Sequence, residues 1–286
     1  MIFFSNKSRP YHFGPYPLER IARDPSIRDE ETGRPRASRP DANPAQDSEF
    51  AEAVEKYHQI FHSLRNEDVA PGKAPVPDDL VRRAVDVKGA AYFLNANMVG
   101  ITELTDTCWL DGSTSLGHSH AFVILIEHGR MPEEGSLAKR WVESASETTA
   151  EFSAYEIALG IARHMQKMGF SAIAHDARNG DVELDRLTVL TGLGVRLGDK
   201  LINPFVDERF TVCAVTTDYA LATDLPLSRR AARKAKGVSY WLGSGGATSG
   251  LERWRQNSRA THMSKFAMES VDRVDRPTTL IIDEEV

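Results

Sequence analysis

The chain has 286 residues, of which 41% are hydrophobic and 27% charged, so it can bury one large core or two smaller ones. Its formal net charge of -6 gives no general reason to bind nucleic acid, whose phosphates select basic surfaces. The opening Met1-Ile2-Phe3-Phe4 is too short for a signal-peptide core, and no apolar run approaches the roughly 18–20 residues of a membrane span. A cytoplasmic chain without nucleic-acid or membrane partners is the expectation.

From Arg9 to Arg23 the chain holds Pro10, Gly14, Pro15 and Pro17 among aromatic residues, which predicts an extended arm on a surface. Arg28 to Asp47 is polar and Pro-punctuated, without a large apolar side chain, and reads as an exposed loop. Phe50, Ala53, Val54, Tyr57, Ile60, Phe61 and Leu64 then recur at helical spacing behind Ser48, a suitable N-cap. These segments form an N-terminal region over residues 1–77.

A second region, over 78–228, alternates helical and strand-like patterns. Leu80 to Asn95 reads as a helix and Met98 to Thr102 as a strand. Ala121 to Ile126 is a continuous apolar run, suited to a central strand covered on both faces. Thr148 to Met168 reads as a long helix, with Phe152, Tyr155, Leu159, Ala162 and Met165 on one face and Gly169 to end it. Ser171 to His175 and Phe210 to Thr216 are further strands. The alternation indicates an α/β or α+β domain. A third region, 229–286, carries the basic residues Arg229, Arg230, Arg233, Lys234 and Lys236, a Gly/Ser-rich loop from Gly243 to Gly250, and a β-prone run from Thr278 to Ile282.

Few local motifs carry chemistry. His58 and His62 lie four apart on one helix face, but Gln59 stands where a zinc-protease pattern needs Glu, and no third ligand is implied. His118 and His120 flank Ser119, an alternating pair that could bind a metal or simply satisfy a strand entrance. The Gly243–Gly250 loop lacks the Lys-Ser/Thr of a phosphate-binding loop and reads as a surface loop. The basic run reads as a solvated helix face. Cys108 and Cys213 are the only cysteines, so the chain cannot by itself hold an iron–sulfur cluster; whether they pair is open, with reduced core residues the default.

Four segments, in order, resemble the corrinoid-binding domain of the reductive dehalogenases, a family related to epoxyqueuosine reductase. They are Val87 to Ala91 with Asn97 to Leu104; Ser153 to Ala158 with Met168 to Ala172; Thr191-Gly192-Leu193-Gly194 with Leu201 to Phe205 and Arg209; and Val215 to Asp218 with Asp224-Leu225-Pro226-Leu227. The opening, Lys7 to Glu19, and the tail, Arg276 to Asp283, resemble the start and midpoint of the long reductive dehalogenases of aerobic bacteria, whose first half is a degenerate corrinoid-type domain.

The resemblance implies a nitroreductase-like three-layer sandwich and an enzyme family that removes halide from organohalides with cobalamin. It places any corrinoid pocket beside Gly192 and Gly194, with Tyr155 and His175 the nearest polar side chains. The plainer readings are that the two glycines make a tight turn, that Tyr155 faces the core bonded to backbone, and that His175 caps a strand. The chain departs from the family where Leu227 runs into Ser228-Arg229-Arg230 without cysteine, and where Val195 replaces an acidic residue. The expectation is therefore a non-catalytic module with a vestigial pocket, packing on a catalytic half or on a second copy. The alternatives are a stand-alone corrinoid- or flavin-binding oxidoreductase with a separate electron donor, and a corrinoid carrier.

Overall fold

The computed structural model describes residues 10–39, 49–65 and 68–233. Ser48, Lys234, Lys236, the Gly243–Gly250 loop and the run from Thr278 to Ile282 lie outside the described residues. By its internal contacts the chain divides into one unit over Met1–Lys236 and another over Gly237–Val286. No helix among the described residues is long and apolar enough to cross a membrane.

The core is a four-stranded sheet. It is built from β1 (Met98–Glu103), β2 (His120–Glu127), β3 (Ala172–His175) and β6 (Phe210–Thr217), in the order β1-β2-β6-β3. Every neighbouring pair is antiparallel. That settles the class as α+β and corrects the α/β alternative. The reason is topological. The short helix α4 (Leu137–Val142) and the long helix α5 (Ser146–Lys167) join β2 to β3, which run parallel to each other, and this unit produced the alternating pattern. β6 then enters antiparallel between the two strands, and nothing in their own sequences announces it.

Side chains alternate across the sheet, so two faces follow from the register. One carries Val99, Ile101, Phe122, Ile124, Ala174, Cys213 and Val215, packed under α5 with Ala154, Ala158, Ile161 and Met165 and beside α3 (Leu80–Phe93). The opposite face carries Gly100, Val123, His175, Ala214 and Thr216 and meets α6 (Leu184–Leu190) and its following turn. Residues Ala121 to Leu125 of β2 are all fully buried, as a strand covered on both faces requires. Gly169 ends α5 at φ 83, the left-handed conformation expected of it. Asn95 does the same past α3, at φ 72. A short hairpin of β4 (Val195–Leu197) and β5 (Lys200–Ile202) turns through Gly198 at φ 64.

Two segments differ from expectation. The N-terminal arm is not extended throughout but makes two single-turn helices, Tyr11–Phe13 and Leu18–Arg20, and buries Tyr16, Leu18 and Ile21. It is tied down where Tyr16 Oη donates to Glu127 Oε2 at 2.6 Å and where Arg23 bridges to Leu227. The loop expected from Arg28 begins inside helix α1 (Ser26–Thr32), which buries Ile27 and Glu31. Glu31 is fully buried because Arg196 meets its carboxylate at 3.3 Å and Arg34 at 3.6 Å. Hydropathy reads such a glutamate as exposed, since it carries no sign of the guanidinium that lets it be buried.

Candidate functional site

Helix α2 (Glu49–His62) lies against α5, and together they enclose the carboxyl end of β3, where His175 and Asp176 sit side by side. Alternation sends the two residues to opposite sides of the sheet, and each enters a different polar cluster.

His175, fully buried, belongs to a hydrogen-bonded chain on the α6 side. Its Nδ1 receives the backbone N–H of Asp181 and Nη2 of Arg65, both at 3.2 Å. Both partners are donors only, so Nδ1 is the unprotonated acceptor and the ring proton is on Nε2. Nε2–H then donates to Thr216 Oγ1 at 2.8 Å. The same hydroxyl pairs with Nδ1 of His118 at 2.7 Å, and His118 Nε2 pairs with Ser171 Oγ at 2.8 Å. His175 is thereby fixed as the neutral tautomer protonated on Nε2. Burial, reinforced by the Arg65 charge, pushes His175 down to about 3. Burial likewise lowers His118. His118 does not share a metal-binding face with His120, since β2 begins only at His120, whose Nδ1 pairs with Ser119 Oγ instead.

On the α5 side Asp176 meets His58 and Glu151. His58 Nε2 lies 3.2 Å from Asp176 Oδ2, close enough for an ion pair, yet it makes no well-aligned hydrogen bond. Asp176 Oδ1 accepts the backbone N–H groups of Arg178 at 3.2 Å and Asn179 at 2.6 Å. Burial alone would raise this carboxyl; the close His58 ring, although poorly aligned for a hydrogen bond, and the Asn179 N–H outweigh it and hold Asp176 at about 2. Glu151 is raised, mainly by burial, although Arg178 Nη2 stands 3.0 Å from its Oε2. Glu151 Oε1 has no hydrogen-bond partner.

Tyr155 joins this second cluster. Its ring lies between His58, at 5.1 Å, and His62, stacked at 6.1 Å. Its hydroxyl is buried without a hydrogen-bond partner, which differs from the backbone bond weighed from the sequence, and burial raises its pKa. Replacing Tyr155 by Phe should therefore leave unfolding stability unchanged or raise it by up to about 1 kcal/mol in urea denaturation. A clear loss would reveal a partner for the hydroxyl.

Gly192 and Gly194 lie elsewhere. They follow α6, whose turn touches Gly100 on β1, whereas His175 is on β3 at the other edge of the sheet. Three strand spacings, about 14 Å, separate those edges. Gly192, at φ 68, ends α6: its N–H bonds Val189 O at 3.0 Å and the N–H of Leu193 bonds Thr188 O at 3.0 Å. This pair of bonds is the usual glycine-terminated helix end. Gly194 N–H returns to Thr188 O at 3.2 Å. Above Gly192 the space is taken by Arg23, whose guanidinium donates to Leu225 O at 2.7 Å and to Gly192 O at 3.3 Å. The four residues expected around one pocket thus fall into three places: Tyr155 under α5, His175 across the sheet, and the glycines at the end of α6. Sequence reasoning missed Glu151, Asp176, Arg65, Thr216 and Arg23. The spacing of His58 and His62, together with Tyr155 and His175, pointed toward this region.

Neither a family model nor a curated sequence matches the chain. Solved structures do. One structure of the catabolic reductive dehalogenase NpRdhA is 34% identical over 99% of this chain, with a TM-score of 0.74. A structure described as suggesting a mechanism for B12-dependent dehalogenation is 33% identical over 99% of this chain, at 0.73. The K488Q variant of NpRdhA is 36% identical over 80%, at 0.69. The chain spans only 40%, 40% and 32% of those chains, respectively. An epoxyqueuosine reductase with a tRNA stem loop is 10% identical over 52% of the chain at a TM-score of 0.41, too low to carry an argument.

Proposed function

Because the chain belongs to a reductive dehalogenase-like family, we propose that it serves such a protein as a corrinoid-type domain that neither holds a corrinoid nor performs dehalogenation itself. The observation that carries this reading is the closed glycine turn. A corrinoid needs a wide face with backbone donors for its amide rim. Here the N–H groups of Gly192, Leu193 and Gly194 are spent on α6 carbonyls, and Arg23 with Leu225 O fills the approach. The residues present do not fit the cofactor. Cys108 and Cys213 are both buried, and burial raises the Cys213 thiol well above its ordinary value, away from the thiolate that an iron centre requires.

In this reading the module is a nitroreductase-like layered sandwich in a cytoplasmic protein, and its partner is a catalytic dehalogenase half or a second copy of itself. Calorimetric titration of the purified chain with hydroxocobalamin tests it. No heat and no co-purifying corrinoid or flavin absorbance are expected. Binding at micromolar affinity or tighter would overturn the proposal and favour a stand-alone cofactor protein.

A further inference from the structure

His58, Glu151 and Asp176 come from three separate elements: α2, α5 and the turn after β3. Each offers one ligand atom, and the three atoms lie within 4.8 Å of one another. Donors that share one small cation at about 2.1 Å must stand apart by about 3–4.2 Å, so a slight contraction would bring all three into one coordination sphere. We propose that these residues bind a single divalent transition-metal cation, of the zinc or manganese kind, that fastens α2 to the domain.

Burial, charge and outer-shell support each point there. The three residues are 2%, 3% and 1% exposed, so none is a solvated surface group. Glu151 Oε1 is buried without any partner, and His58 Nε2 faces Asp176 Oδ2 without an aligned hydrogen bond. Unpartnered atoms of this kind are costly in an interior unless something fills the space between them. The local charge is unbalanced as well. Among the described residues Arg178 pairs with both Glu55 and Glu151, and Asp176 adds a third carboxylate; Arg65, nearby, shares Asp181 with Arg39, at 2.9 and 3.0 Å. With a neutral imidazole, Glu55, Glu151 and Asp176 against Arg178 leave two excess negative charges, reduced to one when Arg39 and Arg65 are counted with Asp181, and a divalent cation offsets this excess. The other carboxylate oxygens are already oriented. Arg178 holds Glu151 Oε2, and two backbone N–H groups hold Asp176 Oδ1, as outer-shell partners of metal ligands do. One imidazole with two carboxylates is a donor set for zinc, manganese or iron rather than for calcium. The site is independent of the corrinoid reading and stands whether or not the chain binds cobalamin.

The competing arrangement is a plain ion-pair cluster in which protonated His58 is itself the second cation. The two differ in metal uptake. The full chain, stripped with chelator and desalted, is titrated with ZnCl2 and with MnCl2 by calorimetry at neutral pH, and its metal content is measured after dialysis. A single equivalent is expected, with the melting temperature rising by several degrees on loading. Glu151→Gln and Asp176→Asn should each weaken uptake at least tenfold. Should either variant fail to fold, the Co2+ spectrum of the wild-type chain decides. Intense visible bands of a low-coordinate nitrogen–oxygen site support the proposal, and the weak spectrum of aqueous Co2+ overturns it. No uptake by the stripped chain, or uptake undiminished in both folded variants, also overturns it.

Discussion

Gly192→Val should destabilise the chain by about 3 kcal/mol or more, while Gly194→Val should cost about 1–2 kcal/mol. At Gly192 two penalties add. The backbone is at φ 68, where a β-branched residue is strained, and a Cβ would collide with the Arg23 guanidinium and the Leu225 carbonyl. Arg23 is a flexible side chain and could withdraw, but it would then lose its bonds to Leu225 O and Gly192 O. The Leu225 carbonyl is backbone, held beside Asp224, which exchanges bonds with Ile101 of β1. At Gly194 the backbone is unstrained and the nearest atoms, Thr188 Cγ2, Ile202 O and Leu201 Cδ1, stand 3.2–3.3 Å from the built Cβ, so small shifts suffice. Urea unfolding midpoints at fixed slope measure both. An unchanged midpoint for Gly192→Val would mean that the turn is open. If the wild-type chain bound cobalamin and Gly192→Val abolished binding without loss of stability, the glycine would be a ligand-facing residue instead.

The same turn shows where sequence reasoning reaches and where it stops. Gly192 and Gly194 are visible as positions without a side chain, but a glycine that lets a ligand approach and one that ends a helix look alike in one dimension. Bonds from Gly192 to Val189 and from Leu193 to Thr188 distinguish them, and the arm that covers them lies about 170 residues earlier. Strand β2 was legible because its apolar residues occupy both parities, and α5 because its apolar face and Gly169 are local features. The insertion of β6 between β2 and β3 is a long-range pairing with no local signature. Tyr155 lies on the long helix and His175 at the end of the following strand, as expected, yet alternation across four residues of β3 puts a sheet between them. The His175 chain draws on residues 65, 118, 171, 175, 181 and 216, so no window of sequence contains it.

Acid should unfold this chain earlier than its surface charges would, with stability falling from about pH 6.5 downward. The largest contribution comes from His175; His118, His120 and His128, also lowered by burial, act in the same direction. The pKa of His175 is about 3 in the fold, pushed down by burial and by Arg65, against about 6.5 in an unfolded chain. Between those values the unfolded state binds a proton that the folded state refuses, so stability rises with pH and is fully present above about 6.5. As pH falls toward 3 the loss is on the order of 4 kcal/mol, comparable to the whole stability of a marginal domain. Protonating Nδ1 would set an N–H against two donors, Arg65 Nη2 and Asp181 N–H, and break the chain through Thr216 to His118. Asp176, held at about 2, loses its own contribution only below the ordinary carboxylate range, so it acts in the same direction but later. His175→Gln separates the two. Its amide can accept from Arg65 and donate to Thr216 but does not titrate. The variant should be less stable at neutral pH, yet its urea midpoint should change far less than the wild type's between about pH 6.5 and 4. Parallel curves for the two proteins would place the acid sensitivity elsewhere than His175.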